Sequence, residues 1–65
     1  MMFSEEQISF MKSLGLELDF ENLSDDDLIS IEDVVADKLE LSGFDENYNV
    51  TPIGIMCESI LDLLE

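Results

Sequence analysis

Apolar side chains in this chain return every three or four residues in three separate stretches. In the longest, Leu23–Phe44, the residues Leu28, Ile31, Val35 and Leu39 share one helical face. Val34 and Leu41 widen that face on one side, while Asp26, Asp33, Asp37 and Glu40 gather opposite it together with Ser30. Both ends are marked. Ser24 is a favoured N-cap, Asp27 completes a capping box, and Leu23 with Leu28 forms a hydrophobic staple. Asp25, Asp26 and Asp27 occupy the first turn, where the helix dipole favours negative charge. Gly43 stands where a left-handed residue would close the helix, setting Phe44 against Leu39 in a Schellman motif. These signals predict a helix over residues 25–41.

The same grammar occurs twice more. Ser4 caps, Gln7 completes the box, and Phe3 with Ile8 forms the staple of a helix predicted over 5–14. Gly15 ends it, and Ile8, Phe10, Met11 and Leu14 make its apolar face. Thr51 caps a third helix over 52–64, with Pro52 at the first helical position and Val50 with Ile55 as the staple. Its apolar arc is wide: Ile53, Met56, Cys57, Ile60, Leu61, Leu63 and Leu64. Gly54 costs helix propensity in the first turn, and a close helix crossing would explain it.

Between the first two helices, Leu16, Leu18 and Phe20 alternate with Glu17, Asp19 and Glu21, the period of an extended segment with one buried face. No second strand candidate exists for it to pair with, so it is expected to press onto the helices as a connector. A strand pairing with a second copy of the chain is the minor alternative. The expected fold is therefore all-α, a compact single three-helix domain over residues 1–65 with an extended connector between helices 1 and 2.

Composition changes this picture in one respect. Seventeen acidic residues against Lys12 and Lys38 give a net charge of −15, a load that suggests disorder when hydrophobicity is low. Here 46% of the residues are hydrophobic and they are periodic, so a folded domain is expected. Self-repulsion should lower its stability, and added salt should restore part of it. The charge argues against direct binding to nucleic acid or to an anionic membrane surface, and favours a basic protein partner. The start MMFSEEQ lacks the basic region and apolar run of a signal peptide, and no stretch approaches a membrane span. One cysteine, Cys57, allows no internal disulfide and fits a reducing cytoplasm.

Candidate chemistry is sparse. Asp45, Asn47 and Asn49 stand at the first, third and fifth positions of a calcium loop, but Val50 replaces its turn glycine and Met56 its bidentate glutamate. A polar inter-helix loop is the better reading. Cys57 has apolar neighbours on its helix face and no adjacent base, which describes a buried, inert thiol. The chain has no histidine, so the commonest general base and metal ligand is missing. Glu58-Ser59-Ile60-Leu61 partly matches the Asp-Ser-Leu attachment site of acyl carrier proteins, but Ser59 falls inside a helix where that serine should begin one. Neither an enzymatic role nor a cofactor is expected.

The segments LGLELDFENLSDDDL and GFDENYNVTPIGIMCESILDLL resemble those of small acidic proteins of unknown function from low-GC Gram-positive bacteria, gut species included, and from their mobile elements. The likeness spans nearly the whole chain and implies a compact cytoplasmic bacterial protein. It carries no chemical motif, and so implies no activity, partner or site.

Two functions fit these observations. The first is a non-catalytic interaction module whose ridge Asp26, Asp33, Asp37 and Glu40 docks a basic partner, its stronger form being a DNA mimic. Four charges over about 21 Å of helix is roughly one per 5 Å, against one per about 3.4 Å along a DNA strand. Asp25, Asp27, Glu32 and Glu21 would close that gap if they shared the surface. The alternative is a self-associating structural domain, a homodimer through the C-terminal helix, where Ile55 and Leu63 lie at the margins of the apolar arc. The blandest account of the ridge is the solvated face of an amphipathic helix.

Overall fold

The structure, a computed structural model, describes residues 2–64. Three helices form among them: α1 (Glu5–Ser13), α2 (Asp25–Ser42) and α3 (Pro52–Leu64). No strand forms among the described residues; Phe44 and Val50 meet in an isolated antiparallel bridge. The all-α architecture and the three helix starts are those the sequence predicts.

Each start is built as its sequence requires. The Ser4 hydroxyl accepts from the Gln7 N–H at 3.2 Å, and the Ser4 N–H donates to Gln7 Oε1 at 2.8 Å. At α2 the Asp27 N–H donates to Ser24 Oγ at 3.1 Å, and the Ser24 N–H to Asp27 Oδ2 at 3.0 Å. Four otherwise orphaned amides are satisfied by two reciprocal pairs. The Thr51 hydroxyl accepts from the Gly54 N–H at 3.1 Å and donates to the Ser42 carbonyl at 2.8 Å. One side chain thus caps the start of α3 and the end of α2.

The helix ends differ from expectation in one place. At α1, Gly15 has φ +94°, the Leu16 N–H reaches the Met11 carbonyl at 3.2 Å, and the Gly15 N–H reaches Lys12 at 3.0 Å. That is a Schellman motif, with its apolar residues Met11 and Leu16 both buried. At α2 the expected left-handed closure is absent. Gly43 stays right-handed at φ −79° and ψ −13°, the helix runs one residue further to Ser42, and Phe44 pairs with Val50 in the bridge. The glycine is required here by space. A Cβ on Gly43 would meet the Leu39 carbonyl oxygen, and one on Gly54 would meet the Gly43 carbonyl oxygen and lie 2.9 Å from Val50 Cγ1. The same Gly43 carbonyl accepts from the Thr51 N–H at 2.8 Å. The close crossing anticipated from Gly54 therefore joins the end of α2 to the start of α3.

The core consists of Phe3, Met11, Leu16, Phe20, Ile31, Val35, Cys57 and Ile60. The main helix–helix interface is α2 against α3. The connector supplies two of the eight core residues, Leu16 and Phe20, while Glu17, Asp19 and Glu21 face solvent. Phe20 meets Phe3 edge to face, with ring centroids 6.4 Å apart. A polar link ties α1 to α3: Gln7 Nε2 donates to Ser59 Oγ at 3.2 Å, and that hydroxyl donates to the Met56 carbonyl at 2.7 Å. Gln7 therefore closes its own cap with one end of the amide and reaches across the fold with the other.

Two apolar predictions fail. Leu41, placed on the buried face of α2, is 76% exposed. It lies beyond Leu39, where the chain is already turning at Gly43 towards α3, so nothing packs over its flank. The staple of α3 is loose, with Val50 41% and Ile55 61% exposed.

Candidate acidic surface and its neighbouring loop

Because Ile31 and Val35 are fully buried, the helical repeat turns the opposite side of α2 outward. Asp26, Asp33, Asp37 and Glu40 all lie on that side and all are exposed. The two capping residues at the start and the Thr51 link at the end fix α2 at both termini. No lysine interrupts the row. Lys38 is half-buried on the flank, and Lys12 belongs to α1. Of the neighbouring acids, Asp25, Glu32 and Glu21 are exposed, whereas Asp27 is half-buried and its carboxylate is committed to the Ser24 cap.

Apolar residues share this outward surface, which the hydrophobic pattern did not indicate. Ile29 is 57% exposed between Asp26 and Asp33, and Leu41 stands at the far end beside Glu40. Past Leu41 the chain enters the loop Phe44–Val50. Its turn is held by one carboxylate: Asp45 Oδ1 accepts from the Asn47 N–H at 2.8 Å and the Asn49 N–H at 3.0 Å. Those backbone donors favour the charged form and hold the Asp45 carboxyl below its ordinary range. The carboxylate of the calcium-loop pattern is thus spent on the loop's own amides, as expected for an Asx turn. Tyr48 takes φ +62° at the tip, with its side chain 86% exposed. Among the described residues no group of three or more cysteine, aspartate or glutamate side chains is gathered as metal ligands.

A shallow groove of about 250 Å³ opens between α2 and α3, lined by Glu32, Ala36, Leu61 and Leu64. It brings together one carboxylate and three apolar side chains, with no base. No described helix is long and apolar enough to cross a membrane.

Cys57 is fully buried. Burial raises its thiol above the ordinary range, against a smaller downward pull from the Lys38 ammonium. The unfolded thiol ionises at about pH 8.5, and the folded one only at higher pH. Stability from this group is therefore complete below the unfolded value and falls as pH rises from there through the folded value. The urea midpoint is expected to drop between neutral pH and about pH 10, more steeply in the wild type than in Cys57→Ala. Parallel slopes in the two proteins would show that the thiol has no part in it.

Comparison with protein-family models, with curated proteins and with solved structures finds no match to this chain.

Proposed function

We propose that this domain is a non-catalytic protein-interaction module, and that the outward face of α2 docks a basic surface on its partner. One observation carries the reading: Asp26, Asp33, Asp37 and Glu40 stand exposed in one row, on a helix fixed at both ends, with no cation among them. Such a row attracts positive charge over a Debye length, roughly 8–10 Å at ordinary ionic strength. Fixing the helix lowers the ordering cost of association. The DNA-mimic form has less behind it, since Asp27 is withdrawn into the cap and the exposed Ile29, between Asp26 and Asp33, adds apolar surface where further charge would be needed. We also propose a cytoplasmic location, with which the free, buried thiol of Cys57 is compatible.

Retention on immobilised basic proteins at low salt, nucleic-acid enzymes included, tests the reading. Retention should weaken steadily with added salt and vanish when the row is amidated (Asp26→Asn, Asp33→Asn, Asp37→Asn, Glu40→Gln). It should survive the same loss of charge elsewhere (Glu6→Gln, Glu17→Gln, Glu58→Gln, Asp62→Asn). Equal loss in both variants would mean that net charge alone attracts the partner, and the ridge would be ordinary solvated surface.

A second reading, homodimerisation through α3, draws on the exposure of Ile55 at 61% and Leu63 at 41%. Glu58 and Asp62 are exposed on the same helix and would face their counterparts across such a contact. Light scattering at low and high salt separates the two readings: a monomer in both removes the dimer.

A further inference from the structure

At the last turn of α2 and in the loop that follows, the fold leaves Leu41, Phe44, Tyr48 and Val50 uncovered. Phe44 and Val50 are opposed across the bridge and flanked by its two bonds, Thr51 N–H to Gly43 O at 2.8 Å and Asp45 N–H to Asn49 O at 2.9 Å. They are thus the non-hydrogen-bonded pair, whose side chains lie closest together on one face of the ribbon. Even so, Phe44 remains 44% exposed and Val50 41%. Leu41 and Tyr48, on either side of Phe44 in the chain, are more exposed still. The Asp45 carboxylate braces the loop between Phe44 and Val50 through the Asn47 and Asn49 amides, which lowers the ordering cost of binding there. Its surroundings are acidic: Asp37 and Glu40 lie on the last turns of α2, and Asp45 and Glu46 in the loop itself, all exposed.

We infer that Leu41, Phe44, Tyr48 and Val50 form the apolar anchor of the docking surface, and that its occupant is a basic amphipathic segment of a partner protein. The inference rests on the acidic-ridge reading and specifies its partner. Charge decides the occupant. A second copy of this chain would set the same carboxylate rim against itself in an isologous contact. An anionic membrane is repelled for the same reason. A segment with lysine or arginine around an apolar stripe meets the rim with opposite charge and the cluster with apolar surface.

The test uses the intact, isotope-labelled protein and two synthetic peptides of about 18 residues, five helical turns. Both carry the same lysines; one has leucines along a single helical face and the other has serines there. The leucine peptide should bind about 10-fold tighter, a difference carried by buried apolar contact, with amide shifts centred on residues 41–50. Phe44→Ser should bring it down to the affinity of the serine peptide. Tyr48→Ser, at a side chain 86% exposed, gives the same comparison without touching the fold and should weaken the leucine peptide alone. Amidating the ridge should weaken both peptides. If amidation changes neither while Phe44→Ser still discriminates, the ridge reading fails and the anchor stands. Equal affinity of the two peptides, shifts centred on Ile55 and Leu63, or self-association abolished by Phe44→Ser would each overturn the anchor.

Discussion

Gly54→Ala is expected to destabilise the protein by about 1–3 kcal/mol, against the sign that helix propensity alone predicts. Alanine in place of glycine within a helix ordinarily gains up to about 1 kcal/mol, and less in a first turn, where Gly54 stands third. The new methyl, however, would overlap the Gly43 carbonyl oxygen and crowd Val50 Cγ1. Backbone cannot rotate out of the way as a flexible side chain can. Relief requires the start of α3 to move off α2, at about 1–3 kcal/mol for overpacking and about 1 kcal/mol for the strained Thr51–Gly43 hydrogen bond. A chain of 65 residues has roughly 3–10 kcal/mol of stability in all. With a urea m-value near 1 kcal/mol/M for so small a domain, the midpoint should fall by about 1–3 M. Gly54→Val should fall further. A midpoint that rises in Gly54→Ala would mean that propensity prevails and that the two backbones do not approach closely.

The same junction shows what the sequence could and could not disclose. Helix starts were legible because a cap is local chemistry: Ser4 with Gln7 and Ser24 with Asp27 are each complete within four residues. The alternation of Leu16, Leu18 and Phe20 was legible for a similar reason, since period two assigns a buried side without reference to the partner. The end of α2 was not. Gly43 reads locally as a left-handed stop, the part Gly15 does play, but its conformation is set by α3 arriving over its carbonyl. The ridge followed from periodicity, and all four carboxylates are exposed as expected. The exposure of Leu41 and the loop cluster did not follow, because apolar residues near a helix end are buried only if the chain beyond them folds back. Here it turns to α3, and Phe44 pairs with Val50 across the bridge. Nothing in the loop sequence marks Tyr48 for positive φ, since asparagine on either side of it would adopt that conformation more readily.

The largest effect is expected at a residue outside every helix. Phe20→Ala should cost about 3–5 kcal/mol, the usual toll of removing a buried phenylalanine ring. Phe20 is 7% exposed and stands edge to face with Phe3, itself 3% exposed, so its loss opens a void that reaches the staple of α1. Against roughly 3–10 kcal/mol in total, the variant should be largely unfolded or close to it at room temperature, with helical circular dichroism lost from all three helices together. Moderate salt, which screens the charge of −15, should bring it back into measurable range. Leu18→Ala, at a half-buried site on the same connector, should cost clearly less. Phe3→Ala and Phe20→Ala remove the same ring contact, so their costs should sum to more than the double variant loses. If Phe20→Ala cost under about 1 kcal/mol, like a surface change, the connector would be a mere tether. The fold would then rest on α2 against α3, with α1 held by buried Met11, by Ile8, Phe10 and Leu14 packed against the core, and by the Gln7–Ser59 bond.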